Sequence, residues 1–243
     1  MKDEKPLKQL IQDFACQLGE LGVETLYYRL PSAAELAQMR KPPAVKTGTG
    51  KPKNEMIQKL AELEARVKPC TLCKLSKTRT QTVFGVGDPA ADLVFVGEAP
   101  GYDEDQQGIP FVGKAGQLLT KIIEAMQLSR EQVYICNVIK CRPPENRDPE
   151  PEEIATCIPY LEEQLSILQP KVICTLGRHS AHHLLKINTP ITKLRGQWHE
   201  YKGIPVMPTF HPAYLLRNPS EKAAVWEDVQ KIMKLLGIPI PKR

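Results

Sequence analysis

Short runs of Val, Ile, Leu and Phe recur along this chain, and segments with helical spacing of their apolar residues separate them. The predicted strands are 91–97, 132–139, 171–177 and 204–207, and the predicted helices are 54–67, 114–126, 150–168, 178–185 and 219–236. Strands without polar alternation are buried on both faces, as in a parallel sheet that helices cover on both sides. The pattern therefore predicts the α/β class, with three α/β/α layers and a central, mostly parallel sheet.

The composition is that of a folded protein. The 243 residues are 42% hydrophobic and 25% charged, which excludes a largely disordered chain. No apolar run approaches the roughly 18 residues that a membrane span needs, and the first ten residues lack the apolar centre of a secretion signal. We therefore expect a cytoplasmic protein with no membrane partner. The net charge of +5 is compatible with a polyanionic partner but does not require one.

The first 53 residues differ in composition from the rest of the chain. Apolar residues at helical spacing predict an amphipathic helix over residues 5–21. The segment 40–53, RKPPAVKTGTGKPK, has five basic residues, three prolines and no acid, so it cannot form a core. It is interpreted as a flexible basic linker, either a solvated tether or a segment that contacts nucleic-acid phosphates. The predicted domains are a helical extension with this linker, residues 1–53, and a main domain, residues 54–243.

Three of the predicted strands are followed by residues that suit a ligand site, which open α/β sheets place at the carboxyl ends of their strands. The sequence GEAPG, 97–101, either lets the backbone approach a ligand closely or is simply a strand-to-helix turn. Asn137 offers a donor and an acceptor side by side, which can read a nucleobase edge, or it forms an Asx turn. His211 precedes a proline, which keeps it extended so that its ring can project into a cleft.

The chain has seven cysteines, an odd number that does not favour a disulfide framework. Cys70 and Cys73 form a CxxC pair, and Cys141 and Cys157 follow at a distance. Four thiolates suit either a [4Fe–4S] cluster or a structural zinc ion, and the spacing does not choose between them. The remaining cysteines are Cys16, which receives no role, and Cys136 and Cys174, which lie in predicted strands as core thiols.

Two other patterns resemble functional motifs only superficially. Residues 108–115, GIPFVGKA, nearly match the phosphate-binding loop GxxxxGK[ST], but Ala115 has no hydroxyl to bind magnesium. His179, His182 and His183 share one face of a short helix, which would suit a metal if a carboxylate joined them. No carboxylate is evident nearby in the sequence, so we expect these histidines to pack or to face solvent.

Four separated motifs resemble, in the same order, those of the family 4 uracil-DNA glycosylases, the iron–sulfur branch of that superfamily. They are GEAPG at 97–101, GIPFVGKAG at 108–116, NVIKCRPPENRDP at 137–149 and HPAYLLRNP at 211–219. The resemblance extends from about Pro69 to Leu236 and leaves out residues 1–53. It implies the uracil-DNA glycosylase fold and an enzyme that flips uracil out of DNA and hydrolyses its N-glycosidic bond. The product would be an abasic site, formed in base excision repair of deaminated cytosine.

The resemblance also implies roles for residues around the base. Phe111 would stack on uracil, or be an ordinary core residue, and Asn137 would bond the N3–H and O4 edge. His211 would bond O2 and stabilise the negative charge of the departing base. The backbone at Gly97 and Ala99 would close on the base, and Glu98 would lie near the cationic sugar. In another branch of the superfamily a water-activating aspartate stands where this chain has Ala99, so the role of Glu98 remains open between activating water and stabilising charge.

The same resemblance implies a cofactor and DNA contacts. The four cysteines that match the family's cluster ligands are Cys70, Cys73, Cys141 and Cys157, which selects [4Fe–4S] over zinc and gives the cluster a structural role. Leu215, Leu216 or Tyr214 would wedge into the vacated base stack while Arg217 contacts a phosphate; otherwise these residues merely start a helix.

The expected partner is uracil-containing DNA, single- or double-stranded, bound by a monomer. Residues 1–53 are a candidate contact region for repair or replication proteins. Two alternatives stay open: a glycosylase for another deaminated base, such as hypoxanthine, and a non-catalytic iron–sulfur module that binds DNA.

Overall fold

The computed structural model of the chain describes residues 52–241. The helices are α1 (Lys53–Val67), α2 (Tyr102–Gln107), α3 (Lys114–Ala125), α4 (Pro151–Leu168), α5 (Arg178–Leu185), α6 (Ile191–Leu194), α7 (Pro212–Arg217) and α8 (Lys222–Leu236). The strands are β1 (Val86–Gly87), β2 (Leu93–Gly97), β3 (Tyr134–Asn137), β4 (Val172–Leu176), β5 (His199–Tyr201) and β6 (Ile204–Thr209). The predicted helix over residues 5–21 and most of the basic linker lie outside the described residues.

The strands form one sheet in the order β1-β3-β2-β4-β6-β5. The four inner strands are parallel, and both edge strands are antiparallel to their neighbours. The chain passes from β2 to β3 on one side and later returns to β4 on the other side of β2. This reversal opens a crevice at the carboxyl ends of the inner strands, where α/β sheets bind their ligands.

Two apolar cores lie on opposite faces of the sheet, which confirms the predicted three α/β/α layers. Along β2, Val94 and Val96 belong to one core, whereas Leu93 and Phe95 belong to the other. The first core is completed by α1 and α4, and the second by α3 and α8. No helix within residues 52–241 is long and apolar enough to cross a bilayer.

Within residues 52–241, the predicted inner strands and helices are all present, with ends that differ by a few residues. The first helix begins at Lys53 with Pro52 at its N-cap rather than at Asn54, and the closing helix begins at Lys222 after a 3₁₀ turn, Pro219–Glu221. The edge strands β1 and β5 were not predicted, because two or three residues give no periodic signal.

Candidate active site

A cleft of about 550 Å³ opens at the carboxyl ends of the inner strands. Its lining includes most of the residues that the sequence predicted around the base: Glu98, Ala99, Phe111, Asn137, His211 and Arg217. Glu98 and Ala99 directly follow β2, Asn137 ends β3, and His211 comes just after β6. The topology therefore gathers residues that lie more than 100 positions apart in the sequence.

Gly97 lies behind the cleft, where a larger residue would not fit. A Cβ atom at this position would lie 2.3 Å from Asn137 Oδ1 and 2.6 Å from Phe111 Cζ. Both distances are shorter than any ordinary van der Waals contact, so a side chain here would displace the amide and the ring together. The glycine thus lets two candidate substrate-binding side chains converge on one strand end.

Asn137 presents an amide that the protein itself does not fully use. The residue is 1% exposed and pairs with Gly97 in the parallel register of β2 and β3. Its Oδ1 atom is buried and has no hydrogen-bond partner in the protein. An unpaired buried oxygen costs about 1–3 kcal/mol, so this atom is an acceptor that a ligand can satisfy.

Phe111 is fixed by its backbone in an unusual conformation. Its φ angle of 55° lies in the left-handed region. The guanidinium of Arg130 stabilises this turn, since Nη1 donates to the Phe111 carbonyl at 3.0 Å and Nη2 donates to the Pro110 carbonyl at 2.8 Å. Gly116 allows the close approach, because a Cβ there would lie 1.9 Å from the Phe111 carbonyl oxygen. The buried Phe111 ring lies 5.7 Å from the His211 ring, centroid to centroid.

His211 forms the N-cap of α7, and this contact determines its tautomer. The backbone N–H of Ala213 donates to His211 Nδ1 at 3.1 Å, so Nδ1 is an acceptor and carries no proton. Burial, and to a smaller extent the positive charge of Arg217, lower the pKa of His211 to about 4. At neutral pH the ring is therefore uncharged and carries its proton on Nε2, which makes Nε2–H a hydrogen-bond donor.

The carboxyl group of Glu98 has a pKa close to neutral pH. Burial, and then the negative charge of Asp148, raise its pKa to about 7, although Arg178 acts in the opposite direction. Carboxylate oxygens of Glu98 and Asp148 and a ring nitrogen of His179 lie within 4.8 Å of one another. Arg178 also belongs to this group, because Nη2 donates to Asp148 at 3.1 Å and Nε donates to His179 Nε2 at 2.9 Å.

Sequence reasoning missed this group. It found no carboxylate near His179, yet Asp148 lies 3.3 Å from His179 Nε2. They are 31 positions apart in the sequence, and the chain between them forms α4, β4 and the turn to α5, so local spacing carries no sign of the contact. The one available sign in the sequence was that Asp148 belongs to the motif at residues 137–149. Arg147, the residue before it, also lines the cleft and makes a bidentate ion pair with buried Glu153.

The four candidate DNA-contact residues lie on α7 beside the cleft but differ in exposure. Leu215 is 1% exposed and packs in the core, whereas Leu216 is 46% exposed. The Tyr214 ring packs against Phe210 at 4.9 Å, and Arg217 lines the cleft. Leu216 and Arg217 are therefore the exposed members of the four, Tyr214 is half-buried, and Leu215 is a core residue.

Two backbone N–H groups in the near match to a phosphate loop are already hydrogen-bonded within the protein. Glu104 Oε1 accepts hydrogen bonds from the backbone N–H groups of Val112 at 2.9 Å and Gly113 at 3.0 Å. Its other oxygen accepts from Gly101 N–H at 3.1 Å. A carboxylate of the protein thus occupies three N–H donors of this region that a phosphate could otherwise use.

A second cavity, next to the cleft, collects the four cysteines that were predicted as ligands. Its lining includes Cys70, Cys73, Cys141 and Cys157, and each is a free thiol. Three of their sulfur atoms accept hydrogen bonds: Arg79 Nη1 donates to Cys141 at 3.1 Å, the Lys140 backbone N–H to Cys157 at 3.3 Å, and the Tyr160 hydroxyl to Cys70 at 3.5 Å. Cationic and N–H donors aimed at sulfur favour the thiolate form, which is the form that binds metals.

The spacing of the sulfur atoms bears on what this cavity can hold. Among residues 52–241, Glu98, Asp148 and His179 are the one group of three or more candidate ligands within 4.8 Å of one another, so the cysteine sulfurs are more widely spread. Tetrahedral zinc, with Zn–S bonds of about 2.3 Å, would bring four sulfurs to about 3.8 Å from each other. The sulfur atoms are therefore spaced more widely than a four-thiolate zinc site requires.

The remaining described cysteines are structural. Cys136 and Cys174 are fully buried within β3 and β4, which confirms them as core thiols, and Cys16 lies outside the described residues. Burial raises the pKa of Cys157 to about 11. In the absence of a cation that thiol is protonated, and a bound cation would remove the proton.

The uracil DNA glycosylase superfamily model matches residues 84–230, which include the three strand ends and the loops of the cleft. A type-4 uracil-DNA glycosylase of Sulfurisphaera tokodaii is 48% identical to this chain, covering 75% of the chain and 87% of that protein. A type-4 uracil-DNA glycosylase of Thermotoga maritima is 46% identical, covering 74% and 94% respectively. That of Archaeoglobus fulgidus is 43% identical, covering 74% and 95%.

The matched region contains both the cleft and the cysteines from Cys141 onward, and the alignments with the relatives cover about three quarters of the chain. The chain therefore belongs to the uracil-DNA glycosylase superfamily and, within it, to the type-4 family.

Proposed function

We propose that this protein is a monofunctional uracil-DNA glycosylase, which hydrolyses the N-glycosidic bond of uracil in DNA and leaves an abasic site. The observation that carries the proposal is the buried, unpaired Oδ1 of Asn137, a residue that lines the same cleft as the neutral His211. The Asn137 amide thus offers an acceptor and donors to a base. The His211 ring offers a donor that can stabilise the negative charge on the departing base.

Asn137 supplies base recognition. Its Oδ1 accepts from uracil N3–H and its Nδ2 donates to O4, whereas cytosine exchanges donor and acceptor at these positions. A cytosine in the cleft would leave the Asn137 acceptor buried and unpaired, at a cost of about 1–3 kcal/mol. Phe111 supplies a flat apolar surface for the flipped ring, and Gly97 leaves the space for both contacts.

His211 stabilises the leaving group. As the N-glycosidic bond breaks, negative charge accumulates on the uracil ring, and the Nε2–H of His211 donates to O2. A preorganised donor of this kind contributes about 2.7–4 kcal/mol to the transition state. Because its pKa is about 4, the ring donates a hydrogen bond as neutral imidazole throughout the neutral pH range.

Glu98 acts on the sugar side of the bond. As a carboxylate it stabilises the cationic sugar and orients or deprotonates the attacking water, both of which are roles of paired carboxylates in glycoside hydrolysis. Its pKa of about 7 suits proton transfer at neutral pH. After burial, the negative charge of Asp148 beside it is the next cause of this raised pKa, and the positive charge of Arg178 acts against both. Asp148 is itself in contact with Arg178 and His179.

The cysteine cavity would hold a [4Fe–4S] cluster on Cys70, Cys73, Cys141 and Cys157. The donor set, the hydrogen bonds to three of the sulfurs and the wide sulfur spacing all suit a thiolate-bound cluster. Bound there, the cluster would supply a fourfold covalent link between the segment at Cys70 and the loops at Cys141 and Cys157. Hydrolysis of the N-glycosidic bond needs no electron transfer.

The DNA strand would cross the mouth of the cleft along α7. Exposed Leu216 is suited to fill the space that the flipped base vacates, and Arg217 to pair with a phosphate.

The deciding experiment is uracil release from single- and double-stranded oligonucleotides by the purified, iron-loaded protein. We expect free uracil and an alkali-labile abasic site. Parallel substrates with hypoxanthine or xanthine test whether another deaminated base is preferred. Tight binding of the oligonucleotide without release of any base would instead identify a non-catalytic DNA-binding module.

A further inference from the structure

Lys140 is a lysine with no access to solvent, and it lies between the cleft and the cysteine cavity. It is 1% exposed, among the most deeply buried large side chains of residues 52–241. It stands three residues after Asn137, directly before Cys141, and it lines the cysteine cavity. Buried lysines are rare in proteins and require compensating partners.

The ammonium group of Lys140 is hydrogen-bonded to the backbone of Asn137. Its Nζ donates to the Asn137 backbone carbonyl at 2.8 Å and to Gln164 Oε1 at 2.5 Å, and it lies 6.0 Å from the centre of the Phe84 ring. The Gln164 amide is oriented for this contact, because its Nε2 donates to the Phe84 carbonyl at 3.1 Å and to the Tyr134 hydroxyl at 3.4 Å. The network thus ties the residue that carries the recognition amide to α4.

The network contains no carboxylate. None of the ion pairs described within residues 52–241 involves Lys140, and both of its hydrogen-bond acceptors are neutral. The groups around it that can carry negative charge are cysteines: the core thiol Cys136, Cys157, to which Lys140 donates its own backbone N–H, and Cys141, its neighbour in the chain. A buried cation needs a compensating charge, and four thiolates around a cluster would provide it.

We propose that Lys140 is a positioning residue for Asn137 and that the thiolate-bound cluster is its counter-charge, so that the cluster supports uracil recognition electrostatically as well as by cross-linking the fold. This inference rests on the proposed function. It gives the cluster a part in base recognition that involves no redox step.

The first test is Lys140→Met in the iron-loaded, full-length protein, with Lys74→Met as the matched control. Lys74 follows Cys73 but is exposed and paired with Glu150, so its charge is screened by solvent. We expect Lys140→Met to weaken the binding of free uracil about tenfold by calorimetry. We also expect it to shift the cluster's reduction potential to a more negative value, because a nearby cation favours the reduced cluster. Lys74→Met should change neither quantity appreciably.

The second test, Gln164→Glu, keeps the shape of the network and adds a carboxylate beside the ammonium. We expect a folded, iron-loaded protein whose reduction potential becomes more negative while its affinity for free uracil is retained. This variant decides the question if Lys140→Met does not fold.

Unchanged potentials in both variants would overturn the proposal, as would unchanged uracil affinity in folded Lys140→Met or loss of the cluster in Gln164→Glu. These results are distinct from failure of the proposed function, in which the unmodified protein would neither bind nor release uracil.

Discussion

The cleft and the cysteine cavity both include residues of the short segment from Asn137 to Cys141. They differ in whether their buried polar atoms are hydrogen-bonded within the protein. In the cleft, the buried Oδ1 of Asn137 has no partner, and the proton on His211 Nε2 points away from the N-cap bond. In the cavity, three of the four cysteine sulfurs already accept hydrogen bonds from the protein. Asn137 and Cys141 are only four positions apart in the chain.

This difference in hydrogen bonding fits the kind of group that each site would bind. The cleft keeps polar atoms unpaired, although this costs free energy of folding, because a transient ligand must form hydrogen bonds with them and then leave. The cavity surrounds its sulfurs with donors because a permanently bound cation needs stable thiolates. Changes in the cavity should therefore reduce stability first, and changes in the cleft should reduce rate or selectivity while the fold is kept.

Cys141→Ala should have the largest effect. Three thiolates cannot complete a four-thiolate site, so we expect loss of the visible iron–sulfur absorption and a fall in the free energy of unfolding of roughly 4 kcal/mol or more. The matched control is Cys174→Ala, which removes a fully buried thiol from β4 and should keep the absorption. A coloured, fully stable Cys141→Ala protein would remove this cysteine from the ligand set.

His211→Ala should leave the fold intact and lower kcat by about 10²–10³-fold, because the donor to the departing base is lost. DNA affinity, measured with an oligonucleotide that carries an abasic-site analogue, should hardly change. His183→Ala serves as the control, since that residue lies on α5 and does not line the cleft. Equal turnover in His211→Ala and the unmodified protein would refute its role.

Asn137→Ala should lower kcat/KM for uracil about ten- to hundredfold and should narrow the preference for uracil over cytosine. Thr175→Val is a useful control because Thr175 Oγ1 is also buried and unpaired but does not line the cleft. It should retain full activity. If both substitutions reduced activity alike, the unpaired atoms would matter for strand packing rather than for the base.

The layers of the fold and the membership of the cleft could be predicted from the sequence, for physical reasons that particular residues illustrate. The inner strands are apolar throughout, so they could only be buried, and their carboxyl ends had to meet at one edge of the sheet. That rule alone brings Glu98, Asn137 and His211 together. The CxxC pair likewise predicted a thiolate site.

What sequence reasoning missed depends on contacts between distant segments. The network of Lys140 and Gln164 joins residues 24 positions apart through a buried amide, and nothing in the spacing indicates that a lysine is buried. The burial of Leu215 and the exposure of Leu216 follow from how α7 rests on the core, which the sequence HPAYLLR does not specify. The partner of His179 was missed for the same reason.

The smallest predicted effect concerns pH and the pair of Glu98 and Asp148. If Glu98 acts as a carboxylate, activity should rise with pH through a midpoint near 7, since its pKa is raised to about 7 by burial and by Asp148. Asp148→Asn removes a negative neighbour, so the pKa of Glu98 should fall and the midpoint should move to lower pH, by about one unit or less. His211 should not contribute to this rise of activity near pH 7, because its pKa is about 4. The check is the pH profile of single-turnover uracil release for both proteins. A midpoint that stays in place, or moves upward, would mean that Glu98 does not act on the sugar as a carboxylate and that the acid-base chemistry of the cleft lies elsewhere.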